Sequence, residues 1–348
     1  MRIAVTGATG NIGTSLIRAL AGDDRVASVR GIARRRPEWS VPGTEWVAAD
    51  LAEDDLDPLF SDRDAVVHLG WLLQPARDPA VTWRANAIGS KRVFEAAARA
   101  EVKSLIYSSS IASYSPRADH RPVDESWPTD GWPGAAYSRE KAYVERLLDL
   151  FEARHPEVRT VRFRPGFVFK RKAAAEQRRL FAGPFLPGRL ATPRAVPAMP
   201  VVDGIRIQAV HADDLAEAFR SALFGTAAGA FNVAGESDTD MRSIAAMLGA
   251  RPVPMPFTAA RAALATAYRA RLVPAPPELL DVLDRLPVMD TARVRSELGW
   301  VPHHSADEAL GEFIEGLRSG AGLPTPPLRE KTEGGRAHEL ATGVGRRP

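Results

Sequence analysis

The chain of 348 residues contains no cysteine. Disulfides, thiolate metal sites and cysteine nucleophiles are therefore excluded, and the usual clue to redox compartment is missing. Long apolar runs are lacking as well, since no uninterrupted stretch approaches the roughly 20 residues needed to span a bilayer. The first apolar segment, Ile3 to Val5, starts almost at once and leaves no place for a signal peptide. A cytoplasmic location without membrane attachment is the expectation. Strong net charge is absent too, because 46 Lys and Arg face 43 Asp and Glu. One basic cluster, Lys170-Arg171-Lys172 with Arg178-Arg179, has few aromatic neighbours and reads as a solvated loop or helix face, so no nucleic-acid partner is expected. No pattern requires a metal. The 45% apolar content is ordinary for a globular chain, and no internal repeat is found.

What is present begins with Thr6-Gly7-Ala8-Thr9-Gly10-Asn11-Ile12-Gly13, between the first apolar run and an amphipathic segment from Thr14 to Ala21. That order predicts a strand, a glycine turn and a helix. Residues without side chains let the backbone bend sharply, and they leave N–H groups at the positive end of the helix open to a pyrophosphate. Gly7, Thr9, Gly10, Asn11, Ile12 and Gly13 are thus the candidate cradle for a dinucleotide. Further strands are predicted at Val26 to Ala33, Ala65 to Leu69, Ser104 to Ser108 and Thr160 to Arg164, alternating with helices at Ala87 to Ala100 and Ala136 to Phe151. Such alternation builds an α/β fold with a parallel sheet covered on both faces.

A second constellation lies further on. Tyr107-Ser108-Ser109-Ser110 ends an apolar strand, and Tyr137-Ser138-Arg139-Glu140-Lys141 spells Y-x-x-x-K. Tyrosine and lysine four apart share a helix face, so an ammonium can approach a phenol and a ribose together. A nearby cation favours phenolate and lowers the tyrosine pKa toward a range useful for proton transfer.

The glycine turn, the serine-rich strand end and Y-x-x-x-K, in this order and spacing, resemble the extended short-chain dehydrogenase/reductase superfamily, the NAD-dependent epimerase/dehydratase family, up to Gly316. The resemblance implies a Rossmann-type doubly wound parallel sheet with a smaller, discontinuous C-terminal substrate lobe. It implies a dinucleotide domain over 1–165 with return segments at about 205–235, in which Ile205 to Val210 and Gly229 to Val233 rejoin the main sheet. The proline-rich lobe would cover 166–204 and 236–318. From 319 to 348 apolar periodicity disappears, which predicts a disordered tail. Ser110, Tyr137 and Lys141 would form the catalytic triad, with Ser109 the alternative to Ser110. Asp50-Leu51, His68-Leu69-Gly70, Asn86 and Pro165 match cofactor-side positions, although Asp50 equally suits a turn cap and His68 a core histidine. Asp213 and Asp214 are expected to cap the helix that follows them. The helices around Ala87 to Ala100 and Ala136 to Phe151 would form a four-helix homodimer interface.

The second strand ends Ala33-Arg34-Arg35-Arg36, without the acid that holds the ribose hydroxyls of NAD. Arg34 and Arg35 suit the 2'-phosphate of NADP, which makes NADP the preferred cofactor over NAD. Ile111-Ala112 after the serines lacks the acids of a dehydratase, and Arg164-Pro165-Gly166-Phe167 lacks the asparagine of nucleotide-sugar epimerases. The leading expectation is hydride transfer between nicotinamide and a carbonyl or secondary alcohol of a small molecule, with Trp71, Leu72 and Leu73 as an apolar wall. A nucleotide-sugar epimerase holding NAD is the alternative, and a non-catalytic NADP-binding sensor the second alternative.

Overall fold

The computed structural model describes residues 1–331 apart from 75–76, 184, 186–187, 189–190 and 193–194, together with Ala341 and Val344. Six strands occupy the first half: β1 (Arg2–Thr6), β2 (Ser28–Ala33), β3 (Thr44–Ala48), β4 (Ala65–His68), β5 (Ser104–Ser108) and β6 (Arg159–Pro165). They are followed by β7 (Phe167–Phe169), β8 (Ala198–Val201), β9 (Arg206–His211), β10 (Gly229–Val233), β11 (Asp238–Asp240) and β12 (Arg251–Pro254). Among the described residues the main sheet has seven parallel strands in the order β10-β6-β5-β4-β1-β2-β3. Helices cover both of its faces, which is why Ile3, Val5, Val67, Ile106 and Phe163 come from continuous apolar runs and are fully buried. Strand order reverses between β1 and β4, and ligands of such sheets bind outside the carboxyl ends at that point.

The expected return of Gly229 to Val233 to this sheet is present as β10, paired with β6. The expected return of Ile205 to Val210 is not. As β9 it joins β7 and β11 in a separate three-stranded sheet. The cause is the Pro165-Gly166 step, where the chain turns off the main sheet. A Cβ on Gly166 would lie 2.3 Å from the Gln208 carbonyl oxygen, so only glycine lets the β6–β7 link pass so close to β9. The β8 and β12 strands form a third small sheet. The segment from 320 to 331, expected within a disordered tail, carries the fully buried Thr325 and Leu328. The remainder of that tail, apart from Ala341 and Val344, lies outside the described residues.

Beneath the glycine turn, His68 closes β4. Its Nδ1 meets Thr6 Oγ1 at 2.6 Å and its Nε2 meets Ser90 Oγ at 2.9 Å. Burial, with the charge of Lys141 acting in the same direction, pushes its pKa down to about 3. The fold therefore holds a neutral imidazole, whereas the unfolded chain takes up a proton near 6.5. This contribution is complete above about pH 6.5 and is lost as pH falls toward 3, at up to about 1.4 kcal/mol per pH unit. Urea unfolding of the parent and His68→Gln at neutral and mildly acidic pH checks this. The variant is expected to lose part of the acid sensitivity, and equal pH dependence in both proteins contradicts the assignment.

Candidate active site

At the switch point lies a cleft of about 1360 Å³, with the glycine turn at one end and the substrate lobe at the other. Gly7 has φ +67, and a Cβ there would stand 2.7 Å from the Gly70 nitrogen. On Gly13 it would stand 2.4 Å from the Gly7 carbonyl oxygen. The helix Asn11–Ala21 begins at Gly10 without a side-chain cap, so its first amides are left for an anion. Asn11 donates Nδ2 to the Val168 carbonyl at 2.9 Å, while its buried Oδ1 has no hydrogen-bond partner among the described residues. A cradle that a Cβ would fill and open amides fit a dinucleotide phosphate group, and the orphaned acceptor suits a donor such as a ribose hydroxyl.

Gly7, Thr9, Gly10, Asn11, Ile12, Gly13, Arg34, Arg35, Asp50, Leu51, Leu69, Gly70, Asn86 and Pro165 all line this cleft. Asp50 Oδ1 also accepts from the Ala52 amide at 2.9 Å, as a turn-capping residue does. Asn86, in a π-helical turn (Arg84–Ile88) that leads into the helix Gly89–Arg99, binds both the Leu72 N–H and carbonyl and donates to Glu140 at 2.6 Å. It pins the Trp71-Leu72 segment in place. His68 lies behind the cleft wall as a core histidine.

Across the cleft, Ser110, Tyr137 and Lys141 come together. The Ser110 hydroxyl accepts from the Ala112 amide at 3.1 Å, which fixes it at the start of a short 3-10 turn. A hydrogen bond with Ser110 also acts on the Tyr137 phenol. Ser109, the alternative serine, donates to the buried carboxylate of Glu145 at 2.6 Å and faces the core. Lys141 departs from expectation. Its ammonium donates to the Ser108 carbonyl at 2.8 Å and the Tyr107 hydroxyl at 3.3 Å, and it lies 3.6 Å from the centroid of the Trp71 ring but 6.0 Å from that of Tyr137. Consequently Tyr137 is not lowered by the cation: burial raises its pKa, Ser110 opposes the rise, and Glu140 adds to it. Burial also drives Lys141 well below its ordinary value, against the pull of Glu145 and Glu140.

Sequence reasoning missed the support behind the serines. Glu145 accepts from Arg164 Nε at 3.0 Å, from Arg164 Nη2 at 2.9 Å and from Arg162 Nη1 at 2.9 Å. Arg164 continues to the Tyr114 hydroxyl at 3.1 Å, and Tyr114 donates to Asn232 Oδ1 at 2.6 Å. The network ties β6, β10 and the helix Ala136–Arg154 to the serine loop. The signal was available: Tyr137, Lys141 and Glu145 recur every four residues, on one helix face.

Two further expectations change. Lys170 is not solvated; it is buried beneath the glycine turn, donating to the Asn11 carbonyl, to Thr14 Oγ1 at 2.7 Å and to Ser15 Oγ at 3.0 Å. Burial lowers its pKa to about 7. Asp213 and Asp214 occupy the first turn of the helix Ala212–Phe224, while its cap is the His211 ring, whose Nδ1 accepts from the Asp213 amide at 3.2 Å. Asp214 instead holds His304. His211, His304 and Glu312 bring potential metal-ligand atoms within 4.8 Å of one another. With its Nδ1 accepting, neutral His211 carries the proton on Nε2, which lies 3.4 Å from Glu312 without a hydrogen-bond partner among the described residues, and a protonated nitrogen is not a ligand.

A switch-point cleft with a glycine cradle on one side and a serine–tyrosine–lysine group on the other defines a dinucleotide-dependent enzyme of the Rossmann type. The chain belongs to the NAD dependent epimerase/dehydratase family, which matches over residues 3–234. An uncharacterized protein of Mycobacterium tuberculosis is 27% identical over 326 residues, or 93% of this chain, and the chain spans 31% of that relative's length. The UDP-glucose 4-epimerase of Mycolicibacterium smegmatis is 27% identical over 339 residues, covering 92% of this chain and 99% of that protein. A short-chain dehydrogenase/reductase superfamily protein from Agrobacterium tumefaciens, solved with bound NAD, shares the fold with a TM-score of 0.69 at 23% identity, covering 92% of this chain and 98% of that one. No described helix is long and apolar enough to cross a membrane.

Proposed function

We propose that the chain is an oxidoreductase that interconverts a carbonyl and a secondary alcohol on a small, moderately apolar molecule, with NADP as cofactor. The observation that carries this reading is the wall facing Ser110 and Tyr137, where Trp71, Leu73, Phe167, Phe181, Leu279 and Leu283 line the cleft. Apolar side chains with a few convergent polar groups suit a compact organic substrate. Ser110 and Tyr137 bond the substrate oxygen, and Tyr137 delivers or removes its proton. Lys141 would turn to hold the nicotinamide ribose. The bound nicotinamide supplies or accepts the hydride. Arg34 and Arg35, lining the cleft beyond β2, support NADP through charge-assisted contacts to a 2'-phosphate.

A nucleotide-sugar epimerase is the second reading. It is favoured by the full-length similarity to an epimerase and by Arg178 and Arg179 on the lobe side of the cleft, which suit a diphosphate. The nucleotide released from denatured protein, followed by titration of emptied protein with NADPH and NADH, separates the two. An empty site that prefers NADPH is expected, whereas stoichiometric NAD surviving purification overturns the oxidoreductase reading. We infer also that two copies pair through the helices Gly89–Arg99 and Ala136–Arg154. The exposed Tyr143 and Leu150 on the second of these, with Trp83 packed at a tilt against Tyr143, support pairing. Light scattering on the same preparation gives the copy number, and a monomer contradicts it.

A further inference from the structure

After its last long helix, Ala306–Ser319, the chain runs back across the molecule to the glycine turn. The fully buried Thr325 donates from Oγ1 to the Thr9 carbonyl at 2.9 Å. Leu328, also fully buried, anchors the other end of this strap, and the Leu323 amide donates to the Leu328 carbonyl at 2.9 Å to close it into a compact loop. A Cβ on Gly322 would stand 2.4 Å from the Leu328 carbonyl oxygen, so the loop is tight enough to require glycine there. Arg179, from the substrate lobe, clasps the strap by donating to the Arg329 carbonyl at 2.9 Å and the Pro327 carbonyl at 2.6 Å. Arg329 in turn donates to Glu38 at 2.5 Å, in the segment that follows Arg34 and Arg35.

Pro326, Pro327 and Arg329 line the same cleft as the glycine turn and the arginines beyond β2. From this placement we propose that the strap from Gly320 to Lys331 is the outer wall of the dinucleotide site. In that wall Arg329 supplies a charge-assisted contact to a phosphate group of the dinucleotide, and the Thr325–Thr9 bond slows dinucleotide release. The inference rests on the cleft being a dinucleotide site but not on the choice between oxidoreductase and epimerase. The chemistry fits: Arg329 is half-buried, it is held by its backbone on one lobe and by its side chain on the other, and it lines the same cleft as the open helix amides. Glu38, one of its partners, is largely exposed, so water can take that carboxylate when the guanidinium turns toward a phosphate.

The test uses the full chain and reads binding, not turnover. NADPH and NADH affinities are measured by fluorescence titration, and dissociation rates by stopped flow, for the parent, Arg329→Gln and Thr325→Val. Arg329→Gln is expected to weaken binding by about tenfold or more, the effect of losing one charge-assisted hydrogen bond. Loss confined to NADPH assigns the contact to the 2'-phosphate, and equal loss for both nucleotides assigns it to the pyrophosphate. Thr325→Val is expected to speed release of both nucleotides by several-fold. Parental affinities in Arg329→Gln overturn the contact, and parental release rates in Thr325→Val overturn the strap's part in retention. A parent that binds neither nucleotide overturns the dinucleotide reading itself, so the two failures are distinct.

Discussion

Tyr137→Phe is expected to lower turnover by about 10²–10⁴-fold while dinucleotide binding stays near parental, because only the proton carrier is removed. The geometry leaves little alternative among the neighbouring hydroxyls. Ser109 is committed to Glu145, and the Tyr107 hydroxyl is fully buried and accepts from Lys141. The pH profile gives a second reading of the same variant. Burial raises the Tyr137 pKa from its ordinary 10, with Ser110 opposing and Glu140 adding to the rise. The phenol is thus protonated throughout the neutral range. Carbonyl reduction, which consumes that proton, should stay level through neutrality and fall only in alkali, while alcohol oxidation should rise with pH over the same interval. In Tyr137→Phe any residual rate should lose this dependence. Parental turnover in the variant, measured with a substrate the parent accepts, removes Tyr137 from the mechanism.

Removing the carboxylate behind the serines should cost stability instead. Glu145 is completely buried, and the side chains of Arg162 and Arg164 are 5% and 6% exposed. Burial alone would raise the Glu145 pKa, but the Arg164 hydrogen bond and charge, with Arg162 and Ser109, hold it down to about 2. Glu145→Ala leaves Arg164 without its bidentate partner and Arg162 with Asp149 and Glu152 as its carboxylate partners among the described residues. Breaking a buried pair on one side is typically worth about 3–5 kcal/mol. A fall of that size in urea-unfolding stability is expected, and a change below about 1 kcal/mol contradicts the role given to the network. The sign with pH also follows. Because the folded pKa lies below the ordinary 4.5, this stabilisation is complete above that value and is lost as pH falls toward about 2. Glu145→Ala should flatten that acid limb.

The parts of the site that could be read from sequence were those set by local spacing. The glycine turn lies between a strand and a helix within a dozen residues, and Tyr137 and Lys141 are a single helical turn apart. Ser110 could be preferred to Ser109 but not separated from it, because the deciding contact, Ser109 to Glu145, comes from another element. What was misread depended on distant partners. A charge run gives no hint that Lys170 alone will turn inward while Arg171 and Lys172 stay exposed. Strand pattern identifies β9, but its choice of sheet rests on the turn at Pro165-Gly166. The strap has no apolar periodicity, and its order comes from Thr9, Glu38 and Arg179. Likewise the Tyr137 pKa depends on where Lys141 points, and Trp71 packs over that ammonium.

Thr325 and Thr9 lie 316 positions apart, so the strap is made long after the glycine turn on which it closes. Synthesis runs at about 5–20 residues per second, so the stretch of roughly 90 residues from β10 to Thr325 takes on the order of 5–20 s. Throughout that interval every strand of the main sheet has been synthesised and the outer wall has not. If the strap walls the site as proposed, a dinucleotide met then would enter from the open side and be enclosed afterwards, by growth of the polypeptide rather than by displacement of the strap. On that proposal, cofactor loading at birth and cofactor exchange in the finished chain would be different processes, with different barriers.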